Sequence, residues 1–243
     1  MEAVSNWLDR AARTSLDIPH PADIDPQKTL ADGKNTGANL GDVNNIVPFR
    51  ILIKSLELLP SSVSSTLAAP YEVQFTATLF DNLYKRFYGQ TWLSAWHRGK
   101  LSTDSFFRVN LSEPLYCHIP LKNDQNCLVI QLVFRSGEDR EDRDELVGGW
   151  TVIKLKPWTA DDDITKAIST RHPFYQGSPR ALMFLNEPIE QCQKVLQVPS
   201  AGLFTEVKYH DPLFSVLQYI PECTLFGRGA NIGGIYFSGD QSN

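Results

Sequence analysis

From Val47 onward the chain is a succession of short runs rich in β-branched and aromatic residues: VPFRILIKSLEL, YEVQFTATLF, FFRVNL, PLYCHIPL, CLVIQLVF, WTVIKL, ALMFL and FTEVKY. Several alternate. Val73, Phe75, Ala77 and Leu79 fall on one side of an extended segment, and Glu72, Gln74, Thr76 and Thr78 on the other. That period of two is the pattern of a half-buried strand. Clusters of turn-forming residues at 60–70, 112–114, 122–126 and 136–144 separate the runs. About eight strands joined by such turns predict a mainly β, antiparallel sandwich with short helical insertions. At 243 residues the chain is long enough to bury a core without disulfide or metal staples.

The two ends differ from this texture. Residues 1–45 hold Pro19, Pro21, Pro26, Gly33, Gly37 and Gly41 among many polar residues, a composition that buries too little surface to offset the entropy of ordering. They are read as a flexible N-terminal arm. Trp7, Leu8, Ala11 and Ala12 mark a short helical face within it. The sandwich is assigned to residues 46–237 and a disordered tail to 238–243.

Charge and motifs narrow the function classes. A net charge of −5 argues against nonspecific binding to nucleic acid, which needs a basic footprint. The N-terminus lacks a basic region followed by an apolar run, and no stretch approaches the ~18 apolar residues of a spanning helix. The expectation is a cytoplasmic protein with reduced thiols. No GxSxG or HExxH occurs, and His97, His172 and His210 have no recognisable nucleophile beside them in sequence, so no enzyme activity and no cofactor are expected. GRGANIGG at 227–234 misses the dinucleotide spacing and precedes an apparent strand.

Two groups of residues raise the question of a metal site. Gly137–Glu145, GEDREDRDE, carries six acids and two arginines. With Asp161–Asp163 it has the oxygens a calcium ion needs, but the loop at 60–70 supplies no carboxylate and Arg140 and Arg143 oppose a cation. A solvated loop is the preferred reading. Cys117, His118, Cys127 and His172 match no zinc-ligand spacing.

LFDNLYKRFYGQTW, Leu79–Trp92, is the densest aromatic segment. Phe80, Leu83, Tyr84, Phe87 and Tyr88 follow helical spacing, and Asp81 and Gly89 suit the ends of a turn. This predicts a short helical turn with its aromatics facing the core and Lys85 and Arg86 outward. The alternative places Phe87 and Trp92 on an extended edge. Tyr84, Lys85, Arg86, Trp92, Trp96 and Arg98, together with Arg180 of GSPRAL, form the candidate protein-interaction surface. Tryptophan, tyrosine and arginine are the types enriched at interfaces. Burial of both tryptophans in the core is the competing reading.

Three segments in order resemble the N-terminal region of the nephrocystin-4 family: LFDNLYKRFYGQTW, SEPLYCHIPL (Ser112–Leu121) and FYQGSPRALM (Phe174–Met183). A looser likeness follows in KYHDPLFSVLQYIPECTLFGRG, Lys208–Gly229. In the second segment serine stands where that family has asparagine. The resemblance implies a C2-like sandwich, a non-enzymatic scaffold role at the ciliary transition zone and basal body in cilium assembly, and partners there, namely nephrocystin-1 and the retinitis pigmentosa GTPase regulator interacting protein family. Because the family's proteins are several-fold longer, the chain reads as a fragment, short isoform or incomplete gene model. Where a calcium-binding C2 domain has Asp-x-Asp, this sequence has Arg135-Ser136-Gly137. The alternative function, a C2-type membrane-lipid adaptor, is therefore expected to be calcium-independent.

Overall fold

The computed structural model describes residues 46–58, 71–101, 106–120, 125–136, 145–155, 166–214, 220–221, 224–228, 230–232 and 235–236. The expected N-terminal arm, C-terminal tail and acidic loop at 137–144 lie outside the described residues, as do Asp161–Asp163.

Eight strands of eight or more residues carry the fold: β1 (Ile46–Leu58), β2 (Tyr71–Asp81), β3 (Arg86–Leu93), β6 (Phe107–Pro120), β7 (Asn126–Ser136), β8 (Glu145–Lys154), β9 (Ile168–Tyr175) and β10 (Gln197–Tyr209). Short strands β4 (His97–Arg98), β5 (Lys100–Leu101) and β11 (Phe226–Gly227) complete the main sheet, whose order is β11-β6-β1-β10-β9-β8-β7-β2-β3. Strands β12 (Asn231–Ile232) and β13 (Ile235–Tyr236) form a separate pair. The pairings are antiparallel throughout, as the alternation predicts.

One path folds into two layers because β9 pairs along its length with β10 but meets β8 only at Trp150↔Tyr175. On the other side the chain crosses back: β4 pairs with β2, and β5 with β6. Gly99 sits at this crossing against Phe107, where an added Cβ would lie 2.1 Å from the ring. No side chain fits there.

The layers enclose one core. Val73, Phe75, Ala77 and Leu79 of β2 face inward, as their alternation predicts, and meet Leu128, Ile130, Leu132 and Phe134 of β7. In β1 the inward set is Phe49, Ile51 and Ile53, then Leu56 and Leu58. The phase changes because the register slips between Ile53 and Ser55. Such a bulge turns residues that would otherwise face solvent toward the core.

Two smaller clusters cover the outer faces. Tyr116 packs with Leu213, Ile220 and Phe226, its ring stacked on Phe226 at 5.6 Å, and His118 Nε2 lies 3.2 Å from the Ile220 carbonyl. Thus SEPLYCHIPL is covered by the segment that follows Lys208. On the other layer Phe80, Cys127, Val129, Trp150, Tyr175 and Leu182 pack together. This joins LFDNLYKRFYGQTW to FYQGSPRALM. Each motif contributes a strand residue or a lid residue to an outer cluster, which accounts for their apolar positions.

Candidate interaction site

The expected helical turn in LFDNLYKRFYGQTW is instead a β-hairpin. Strands β2 and β3 pair, with Leu79 opposite Tyr88 and Phe80 opposite Phe87, around a turn at 82–85. Spacing misleads here because a four-residue turn places Phe80 beside Phe87, the same seven-residue separation that a helix brings to one face. The rings lie 4.8 Å apart, over the outer cluster rather than in the main core.

Asp81 shapes the turn. Its buried Oδ1 accepts from the backbone amides of Leu83 at 2.9 Å and Tyr84 at 3.0 Å. Lys85 adopts a left-handed backbone, φ 52°, which L side chains take at a cost. Its Nζ donates to Asn82 Oδ1 at 2.7 Å, and the Arg86 guanidinium lies 5.3 Å from the centroid of the Tyr84 ring. Leu83 and Tyr84 are left 64% and 67% exposed.

The facing wall is the 3-10 segment Pro179–Phe184 and the shorter Ile189–Gln191. The sequence builds it residue by residue. Tyr175 anchors it against Trp150, ring centroids 5.2 Å apart, and the indole Nε1 donates to the Gln176 carbonyl at 3.2 Å. Gly177 supplies a positive φ of 79°. Ser178 Oγ accepts from the Arg180 amide at 3.3 Å and Pro179 occupies the first turn. Leu182 then points into the cluster, while Arg180, Met183 and Phe184 remain exposed, Phe184 at 79%.

Hairpin and segment flank a groove of about 300 Å³. Phe80, Cys127, Val152, Leu182, Leu185 and Ile189 line it, with Asn82 from the hairpin turn. Lys154 and Glu190, also lining it, form an ion pair at 3.2 Å. Burial raises the Glu190 pKa, but hydrogen bonds from its own backbone amide and from Lys154 outweigh it and hold the carboxyl below its ordinary value. Burial, with the nearby Asp81 charge, pushes the Cys127 thiol up to about 12. Its Sγ lies 3.5 Å from the Phe80 carbonyl oxygen, to which it donates. A thiol in that state is a small hydrophobe rather than a nucleophile.

The remaining candidates lie elsewhere. Trp96, His97 and Arg98 sit at the opposite end of β2, nine residues from Asp81, which at the rise of a strand is about 30 Å. There Glu72, its side chain 8% exposed, receives Arg98 Nε at 2.8 Å and Arg135 at 2.7 Å. These contacts, that of Arg98 first, hold its carboxyl below the ordinary range against the opposing effect of burial. The Arg135 guanidinium lies 3.9 Å from the centroid of the half-buried Trp96. Trp92 packs against the main core and Gly227, where an added Cβ would meet its Nε1 at 2.8 Å. So Tyr84, Lys85 and Arg86 lie at the end of β2 that borders the groove, whereas Trp96 and Arg98 belong to a charge cluster around the buried Glu72 carboxylate, in which Arg98 itself stays exposed. The groove, Phe184 and Glu72 escaped the sequence reading.

Among the described residues no group of three His, Cys, Asp or Glu side chains is placed to hold a metal. Cys117 belongs to the main core, His118 contacts the Ile220 segment, Cys127 belongs to the outer cluster, and His172 lies 2.9 Å from Thr205 Oγ1. No helix among the described residues is long and apolar enough to cross a membrane.

No protein-family model matches the chain. Nephrocystin-4 of Xenopus laevis is 29% identical over 198 residues, and nephrocystin-4 of Homo sapiens 25% identical over 166 residues. These matches cover 80% and 68% of this chain but only 14% and 11% of the relatives' lengths. The chain thus contains a nephrocystin-4-like region, as its ordered motifs suggest. In structure it is similar to a C2 domain of plant extended synaptotagmin 1, with 9% identity, a TM-score of 0.34, and coverage of 68% of this chain and 95% of that one.

Proposed function

We propose that this chain is a non-enzymatic protein-interaction module of the ciliary transition zone, contributing to cilium assembly and organisation. On this reading it is cytoplasmic and cytoskeleton-associated at the cilium base and basal body, with transition-zone partners that include nephrocystin-1 and the retinitis pigmentosa GTPase regulator interacting protein family. The observation that carries the reading is the construction of one exposed site from two segments that resemble nephrocystin-4. LFDNLYKRFYGQTW and FYQGSPRALM bury Phe80, Tyr175 and Leu182 together, Phe80 and Leu182 line a groove, and Leu83, Tyr84, Met183 and Phe184 of the same two segments are exposed. Isolated exposed apolar residues are ordinary, but a group of them beside a groove marks an interaction surface.

The test is affinity purification of tagged residues 1–243 from ciliated cells, against a β-sandwich control of similar size. Enrichment of transition-zone proteins is expected. A folded chain that recovers none of them would remove partner binding from this region.

A further inference from the structure

The layer made of β6, β1, β10 and β9 presents an outer face that takes no part in the site above. Along β1 and β10 the residues between the inward positions face out. The register then sets Arg50 opposite Lys208, Leu52 opposite Glu206 and Ser55 opposite Phe204. On the flanking strands Arg108 lies opposite Glu57, and Arg171 opposite Phe204. Lys54 joins this face at the bulge of β1, where its Nζ lies 2.7 Å from Glu206.

The face is basic although the chain is acidic. The cations Arg50, Lys54, Arg108, Arg171 and Lys208 stand against the carboxylates Glu57 and Glu206, a balance of +3 in a chain of net −5. Both carboxylates are already engaged, Glu206 with Lys54 and Glu57 with Arg108 at 3.0 Å.

Lys208 and Arg171 have no carboxylate beside them among the described residues. Lys208 faces a cation across the strands, where an acid would favour the pair. Arg171 is exposed yet held in place. Its Nη2 donates to the Ala201 carbonyl at 3.3 Å, and its guanidinium lies 5.8 Å from the centroid of the half-buried Phe204 ring. Such contacts orient the guanidinium without neutralising it, and its other donors stay directed at an incoming anion.

We propose that this face docks an acidic segment of a partner protein, with Asp or Glu side chains paired to Lys208 and Arg171. The inference goes beyond the groove and the ciliary reading, since it rests on the register and charges of these four strands alone. Phe204, which Arg171 faces, is four residues along β10 from Lys208, about 14 Å at the rise of a strand. An extended peptide of about four or five residues spans that distance, and one phosphate does not. A bilayer fits less well. None of the exposed large apolar residues among the described residues lies on β1, β6, β9 or β10 to insert into one. Basic charge without an inserted group holds a membrane only weakly. A peptide can also place its carboxylates clear of Glu57 and Glu206, which an anionic surface cannot. Complementary charge of this kind sets encounter rate and partner choice.

The test is selection of a phage-displayed library of short random peptides against residues 1–243, followed by titration of the selected peptides. Enrichment of peptides carrying Asp or Glu is expected, with binding that weakens as salt rises. Lys208→Glu combined with Arg171→Glu should lower their affinity at least about tenfold. Because Arg171 packs on Phe204, Lys208→Glu is also measured alone. It sets a carboxylate opposite Arg50, so thermal unfolding should show no loss of stability while binding still weakens. Lys194→Glu makes the same charge change outside these strands, at an exposed residue, and should leave binding as it is. Enrichment of no consensus, enrichment of basic or uncharged peptides, or binding that survives Lys208→Glu overturns the proposal. Sedimentation with phosphatidylserine vesicles that depends on Lys208, with no peptide selected, assigns the face to lipid and also overturns it. Affinity purification from ciliated cells decides the module reading and the peptide selection decides this face, so either fails without the other.

Discussion

Strand β2 ends in two places made from the same kinds of residue and used in opposite ways. At its start, Glu72 draws in Arg98 and Arg135, and Trp96 lies beneath the Arg135 guanidinium. At its end, Asp81 Oδ1 accepts from two backbone amides of the turn, and Tyr84 and Arg86 are left exposed. Aromatics and cations are interface residues by type in both. What separates them is the carboxylate. One that satisfies two guanidiniums ties side chains together, whereas one that caps a turn orders the backbone and leaves the side chains available. Composition alone therefore does not identify a binding surface; the partners of the charges do.

The largest effect that would break this contrast is at Glu72. Glu72→Ala leaves the mostly buried Arg135 without its carboxylate, and loss of one partner of a buried pair costs about 3 kcal/mol. Urea unfolding should show the loss as a lower midpoint with an unchanged slope. A cost no greater than that of substitutions at Tyr84 or Arg86 would mean that the two ends do not differ.

Acid should sharpen the contrast next. The Glu72 carboxyl is held below its ordinary value, so its contribution is present above the unfolded carboxylate pKa of about 4.3 and is lost as pH falls through the lower folded value. His172 contributes in a different window. Burial lowers its pKa from 6.5 to about 4, so the unfolded chain takes up a proton where the folded chain refuses it. Its contribution is then complete above 6.5 and declines by about 3 kcal/mol as pH falls toward 4. His172→Asn should flatten that decline and leave the Glu72 transition below it visible by itself, which thermal unfolding across the range can read.

The third effect is on the backbone of the turn. Asp81→Ala removes the acceptor for the Leu83 and Tyr84 amides and should cost about 1–2 kcal/mol. Asp81→Asn retains an acceptor oxygen and should cost less. Amide hydrogen exchange at Leu83 and Tyr84 should rise in the alanine variant while exchange along β7 does not.

How much of this was legible depended on range. The inward set of β2 could be read directly, because alternation is a local pattern and every second residue is apolar. ALMFL was misread as one of the strand-like runs: the structure has the 3-10 segment Pro179–Phe184 there, set up by Gly177, Ser178 and Pro179 just before it. Glu72 was misread as part of a solvent face because its partners Arg98 and Arg135 lie 26 and 63 residues away. The hairpin at Asn82 was hidden by a seven-residue spacing common to helix and hairpin. The groove needs Phe80 and Leu182 side by side, from motifs about a hundred residues apart. Sequence order shows that both motifs exist but not that they face each other.

The smallest expected effect on stability is the most direct measure of the contrast. Lys85 holds a left-handed backbone that glycine adopts freely. If the turn had only a structural role, glycine would serve it better. Lys85→Gly relieves the local strain of a side chain at positive φ, offset by the greater freedom of the unfolded chain, so stability should change by less than about 0.5 kcal/mol. The same substitution removes the ammonium bound to Asn82 at the groove. Recovery of transition-zone proteins from ciliated cells should then weaken in a protein as stable as the original. A loss of more than about 1 kcal/mol instead would show that the Lys85–Asn82 contact holds the hairpin together. The tip would then resemble the Glu72 end, with its cation tied into the structure.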